Sequence, residues 1–321
     1  MKTKFKIIEN KDPMQVNLPK LGAWPESIHQ FDEDSIWAIN AALTSGRPLL
    51  IRGEPGTGKS QLARAAAQIL GRAFISEVVY AHSECRDLLW KFDAVARLGE
   101  AQAIVACKQG ENIDEKLSYK RFLTPGCMWW AFDWASAKKQ AKECAHSGYE
   151  PQASNEWQEE NGCVLLIDEI DKADTSLPNG LLEVFGNGAF RVPYMKKEVG
   201  LKEPQPLVII TTNEERELPN AFLRRCMVLH MKLPKGDELI KWLIERGRLH
   251  FENKCEDSVY EEAAKQLVKD RDKALNIQVP APGQAEYLDM LRALVQMSDE
   301  ENEQLEILGK IKKFALEKYL E

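Results

Sequence analysis

The sequence predicts an α/β protein, with a three-layer αβα core on a parallel sheet followed by a smaller, all-helical domain. Three observations predict it. Short apolar runs rich in β-branched residues, Leu49-Leu50-Ile51, residues 163–167 and residues 207–211, read as strands buried on both faces. Helical patterns separate them, and strand alternating with helix gives a parallel sheet covered on both sides. Past Pro234 the strand patterns stop and charged amphipathic helices take over.

Taken in order, residues 1–20 are polar with proline and read as a tail or a clasp on the core. Residues 32–45 place Ile36, Ile39 and Leu43 at helical spacing, with Trp37 nearby, and Gly46 supplies a stop. Pro48-Leu49-Leu50-Ile51 is a short strand, 53–58 a turn, and 60–70 a helix ended by Gly71. A second strand covers 73–80. A helix is expected over 177–185, then a turn at Gly186-Asn187-Gly188. Residues 238–321 read as helices broken at Pro280-Ala281-Pro282-Gly283. The stretch 91–162 is long for a link between strands; it holds Trp129, Trp130, Trp134 and Trp157 and reads as a functional insertion. The expected division is a tail at 1–20, a core at 21–234 carrying the insertion, and a helical domain at 235–321.

Bulk properties narrow the function classes. The 321 residues, 44% of them hydrophobic, suffice for one large core and a small appended domain. A net charge of -7 argues against bulk attraction to nucleic acid or anionic lipid, although it leaves room for a local basic stripe. The cysteines, Cys85, Cys107, Cys127, Cys144, Cys163, Cys226 and Cys255, are dispersed without a Cys-x-x-Cys pair, so reduced thiols are expected and a metal cluster is not. The basic start Met1-Lys2-Thr3-Lys4-Phe5-Lys6 is followed by no apolar stretch, and no run is long enough to span a bilayer. A soluble, cytoplasmic protein without membrane insertion is the expectation.

The chemistry concentrates at Gly53-Glu54-Pro55-Gly56-Thr57-Gly58-Lys59-Ser60, which fits the P-loop spacing G-x-x-x-x-G-K-S between a strand and a helix. Glycines let the backbone N–H groups turn inward, and the following helix adds its positive end. Lys59 is expected to bridge the β- and γ-phosphates and Ser60 to ligate Mg²⁺. The run Cys163-Val164-Leu165-Leu166-Ile167-Asp168-Glu169 delivers two carboxylates at a strand's C-terminal end, where open α/β sheets present ligands. Asp168 suits Mg²⁺ and Glu169 a general base. Asn213, ending the strand over 207–211, suits contact with the γ-phosphate and the attacking water, or an ordinary strand cap. Arg224 and Arg225 are either solvated surface charges or include a group reaching a neighbouring subunit's γ-phosphate; the residues leave both open.

These four blocks, in this order, resemble the AAA+ ATPases, and specifically their MoxR branch. The resemblance runs from about residue 49 to 233 and more weakly through the C-terminal helices. Its most specific stretches are Ile167-Asp168-Glu169-Ile170-Asp171-Lys172-Ala173-Asp174 and Ala221-Phe222-Leu223-Arg224-Arg225-Cys226; residues 87–94 and 125–132 are similar too. Carried over, the Walker A lysine falls on Lys59, the Walker B pair on Asp168 and Glu169, and the sensor asparagine on Asn213. The finger aligns best with Arg225, while Arg224 stands where the family often has Asp. One departure is Ala281-Pro282-Gly283, where the family's lid often carries a Ser-Pro-Arg-like turn.

The resemblance implies ATP as substrate and Mg²⁺ as cofactor, and a homo-oligomeric ring, usually of six, with sites shared between subunits. It also implies chaperone-like remodelling, maturation or loading of a protein client, often with a von Willebrand factor A-domain partner. Residues 88–92 and 122–130, rich in aromatics, are then candidate client-contacting or channel surfaces, with core packing as the alternative. Two other classes compete: a nucleic-acid motor or loader, which tight binding in a gel shift at physiological salt would favour, and a slow ATP-dependent switch in a defence or stress complex.

Overall fold

The computed structural model describes residues 7–9, 14–106, 112–145, 150–153, 157–195 and 198–315. The basic start at residues 1–6, and Cys107, lie outside them. The chain divides into two compact units. One gathers the residues before Glu26, Gln30–Arg52 and Ser60–Leu229; the other takes Glu26–His29, Gly53–Lys59 and His230–Glu321.

The first unit is built on a five-stranded sheet in the order Met227–His230, Leu49–Arg52, Leu207–Thr212, Cys163–Asp168, Ala73–Val78. Leu207–Thr212 pairs in parallel with both of its neighbours, and Ala73–Val78 pairs in parallel with Cys163–Asp168. Leu49 to Ile51, Val164 to Ile167 and Ile209 to Ile210 are wholly buried, as strands covered by helices on both faces require. Register matters more than burial here. Thr212 stands opposite Arg52, and Ile210 opposite Ile167, so the polar ends of three adjacent strands emerge at one edge of the sheet.

Local signals set the helices. Asp32 caps Glu33–Ser45 by accepting from the Ser35 N–H at 2.7 Å, and Gly46 ends it in the left-handed conformation at φ 67°. Ile36, Ile39 and Leu43 point into the core, whereas Trp37 faces outward and donates to Glu33. The helix over Ser176–Asn187 runs through Gly186, so only Gly188 serves as its stop.

The insertion packs as part of this unit rather than presenting its aromatic segments outward. Trp90–Phe92 pairs antiparallel with Leu123–Pro125, followed by helices Cys127–Phe132 and Trp134–Glu143. Leu88, Trp90, Phe122, Trp129 and Trp130 are buried, Trp129 and Trp130 fully. The expectation of client-contacting surfaces at 88–92 and 122–130 is therefore corrected: burying large rings gains more than exposing them, and these segments are core.

Among the described residues, the second unit contains four α-helices, Asp237–Phe251, Asp257–Asn276, Gln284–Met297 and Glu301–Ala315. Leu243, Val259, Tyr260, Leu267, Tyr287, Leu291 and Leu294 form its core, and the Tyr287 hydroxyl donates to the Tyr260 carbonyl at 3.2 Å. Cys85, Cys127, Cys144, Cys163, Cys226 and Cys255 are free, and burial pushes the thiols of Cys163 and Cys226 up to about 12. Protonated thiols are poor metal ligands, and among the described residues no three or more His, Cys, Asp or Glu side chains gather into a metal-binding group. Among the described residues, no helix is long and apolar enough to cross a membrane.

Candidate functional site

The turn after Leu49–Arg52 depends on glycine. Gly56 and Gly58 sit at φ 75° and 92°, where residues with a Cβ are strained, and a Cβ on Gly53 would fall 2.3 Å from the Met231 carbonyl oxygen. The side chain of Lys59 folds back to donate to the carbonyls of Gly53 at 2.6 Å and Glu54 at 2.8 Å. Thr57 donates to the same Glu54 carbonyl at 3.0 Å. Three hydrogen bonds thus hold the turn around an ammonium group.

Glu54 carries a feature that motif reading passes over. Its carboxylate is paired with Arg271 of the Asp257–Asn276 helix, and Arg271 also donates to the Pro282 carbonyl at 3.0 Å. A buried arginine therefore ties the phosphate loop to the Ala281-Pro282-Gly283 turn. Its only sequence signal is a cation on the inward face of an amphipathic helix.

In the first unit, Ser60 donates to Asp168 at 2.8 and 3.1 Å. The Thr211 hydroxyl, fully buried on the neighbouring strand, donates to Oδ1 of the same carboxylate and accepts from the Glu169 N–H at 2.9 Å. One threonine therefore fixes both acids. Glu169 itself adopts the left-handed conformation at φ 59°, ψ 48°, a strain on the order of 1–3 kcal/mol of the kind that persists where the surroundings dictate it.

The Glu169 carboxylate has two partners. Asn213 donates to one oxygen from 3.4 Å, and Lys172 donates to the other. That bond holds the Lys172 ammonium above the usual lysine range. The turn after Leu207–Thr212 is pinned by buried Asp171, which accepts from the N–H groups of Asn213 at 3.2 Å and Glu215 at 2.9 Å. Thr211, Asp171, Lys172 and Arg271 were not legible as site residues, whereas Ser60, Asp168, Glu169 and Asn213 are brought into one hydrogen-bonded cluster.

Arg224 and Arg225 follow the short Asn220–Leu223 helix and are both exposed. The Arg224 carbonyl accepts from Arg47 at 2.6 Å. Among the described residues, no hydrogen bond or ion pair joins either guanidinium to the Ser60–Asp168–Glu169–Asn213 cluster, so within one chain they are not part of it.

The donor set suits Mg²⁺: a serine hydroxyl beside a carboxylate offers hard oxygens at a strand end, with a second acid one residue on. Chemically the cluster can hold a hydrated dication at Ser60 and Asp168, and can accept a proton at Glu169.

The family model for the AAA domain, dynein-related subfamily, matches residues 48–226. No curated protein matches the chain. Among solved structures, a point mutant of RuvB from Thermotoga maritima is similar with a TM-score of 0.41 at 15% identity, covering 88% of this chain and 75% of that one. Another Thermotoga maritima RuvB structure, described as a Holliday junction branch migration motor, gives 0.37 at 15% identity, covering 88% and 74%. These likenesses are distant.

Proposed function

Because the chain belongs to the AAA family, in its dynein-related subfamily, we propose that this ATPase is of the MoxR type and uses Mg²⁺-dependent ATP hydrolysis to remodel, mature or load a protein client. The observation that carries the hydrolytic part is the cluster of Ser60, at the start of the Lys59–Leu70 helix, with Asp168, Glu169 and Asn213 at the ends of adjacent strands. The client part is supported by the resemblance of residues 167–174 and 221–226 to MoxR ATPases.

In this reading Lys59 leaves the carbonyls of Gly53 and Glu54 to pair with the β- and γ-phosphate oxygens of ATP. Ser60 and Asp168 hold Mg²⁺, which supplies charge neutralisation at the phosphates. Glu169 exchanges Lys172 for the attacking water and takes its proton. Asn213, aimed by Asp171, orients that water. Thr211 holds the Asp168 carboxylate and the Glu169 backbone in fixed relation, so only the Glu169 side chain changes partner. Arg225, exposed and outside its own cluster, acts on the site of a neighbouring subunit, with Arg224 as the adjacent candidate. Shared sites of this kind need a homo-oligomeric ring, for which six subunits is our proposal, in the cytoplasm and with a von Willebrand factor A-domain protein as partner.

Capture from cells with Glu169→Gln tests the client reading. Slowed hydrolysis prolongs the ATP-bound state, so a client or adaptor protein is expected to co-purify in an ATP-dependent manner. Capture of nucleic acid instead of protein would contradict it.

A further inference from the structure

The tryptophan-rich part of the first unit holds a cavity. Its volume is about 230 Å³, and Trp130, Trp134 and Trp157 line it together with Gly162 and Cys163. Cys163 opens the strand that Asp168 closes, and five steps at roughly 3.3 Å per residue place the two strand ends about 17 Å apart. The cavity is therefore distinct from the phosphate cluster.

The three indoles are contiguous. The Trp134 ring lies 5.2 Å from Trp130 at 71° and 4.4 Å from Trp157 at 50°. Trp157 is fixed by donating its Nε1–H to the Gly162 carbonyl at 2.8 Å. Trp130 is fully buried, so it backs the other two rings rather than offering a face of its own, and among the described residues its Nε1 has no hydrogen-bond partner. Around them stand four carboxylates, Asp133, Glu159, Glu160 and Glu203, against two cations, the Lys202 ammonium in the lining and the Arg72 guanidinium behind it, which donates to the Cys163 carbonyl at 3.5 Å and the Gln205 carbonyl at 2.8 Å.

Each element selects for the same ligand chemistry. Indole faces carry negative potential and are the strongest side-chain partners for cations. An excess of carboxylates repels anions and attracts positive charge through the part of the cavity that water reaches. A neutral apolar guest would use the rings but leave the acids idle. The volume is below that of ordinary small-molecule sites, about 300–1,000 Å³, and suits the head group of a side chain rather than a whole cofactor. A guanidinium or ammonium on a flexible stem fits on size, charge and π-contact together. A free cation held by so few contacts would bind weakly, whereas one delivered on a chain draws on further contacts outside the cavity.

We propose that this Trp130–Trp134–Trp157 cavity is a binding site for an organic cation, the arginine or lysine side chain of a partner polypeptide. It is a recognition site on the ATPase unit, separate from nucleotide chemistry.

The test uses the full chain without nucleotide, so that its failure leaves the ATPase reading untouched. Acetylated, amidated pentapeptides Gly-Gly-X-Gly-Gly, with X as arginine, lysine or citrulline, are titrated while tryptophan emission is followed. Saturable one-to-one binding is expected for arginine and lysine, weakened by salt, with citrulline about tenfold weaker or worse for lack of charge. Calorimetry on Trp134→Leu should show the arginine peptide weakened by about tenfold. Should that variant fail to fold, Glu160→Gln combined with Glu203→Gln decides: both side chains are exposed, and their loss should weaken binding several-fold and flatten its salt dependence. Absence of saturable binding by either basic peptide, equal binding by the citrulline peptide, or unchanged affinity in the double glutamine variant would each overturn the proposal.

Discussion

Glu169→Gln is expected to lower ATP turnover by about 10²–10⁴-fold while ATP binding persists. The substitution is nearly isosteric, so the Asn213 contact keeps an oxygen acceptor. What is lost is basicity: an amide cannot take the proton of the attacking water. The amide would also place an N–H group against the Lys172 ammonium, so the ion pair opens whatever the nucleotide state. Ser60, Asp168 and Lys59 are untouched, and binding rests on them. Steady-state phosphate release and a separate measurement of bound ATP check the two halves of the prediction. Undiminished turnover would remove Glu169 from the mechanism.

Arg225→Ala should reduce turnover even more, by about 10³–10⁵-fold, the range over which arginine fingers act in other phosphoryl-transfer enzymes. The side chain is exposed and distant from its own cluster's hydrogen bonds, so neither folding nor nucleotide binding should change. A defect in turnover alone means that the arginine works on another subunit. Mixing Arg225→Ala with Lys59→Ala chains then restores part of the activity, because an Arg225→Ala subunit keeps a complete nucleotide site and receives the missing guanidinium from its Lys59→Ala neighbour. Absence of complementation would refute the shared site. A larger defect in Arg224→Ala than in Arg225→Ala would move the finger by one residue.

What was legible in the sequence shares one property: the signal is local. Asp32 before an apolar 3.6-residue period and Gly46 after it bracket a helix without reference to anything distant. The glycine turn between strand and helix likewise shows itself in eight consecutive residues, and the buried strands in runs of five. Ser60, Asp168, Glu169 and Asn213 could be singled out because each stands at a strand or helix end beside a motif.

The illegible residues act across the fold. Thr211 looks like one more β-branched strand residue until parallel pairing sets its hydroxyl against Asp168, 43 positions earlier. Arg271 meets Glu54 across 217 positions, which no periodicity encodes. Asp171 looks like a surface acid after an acidic pair, yet it is buried because two backbone N–H groups need an acceptor there. The aromatic segments were ambiguous for a different reason. A cluster of tryptophans suits a core and a contact surface equally, and only the packing of Trp129 and Trp130 into one core with the sheet residues Ile75, Leu165 and Ile167 distinguishes them.

The account rests on one capacity, binding of a nucleoside triphosphate by the loop at Lys59 together with Mg²⁺ at Ser60 and Asp168. Isothermal titration of the purified chain with ATP, with and without magnesium, measures it directly. Saturable, magnesium-dependent uptake that disappears in Lys59→Ala is the predicted result; no uptake by the unaltered chain, or uptake indifferent to Lys59, would contradict it.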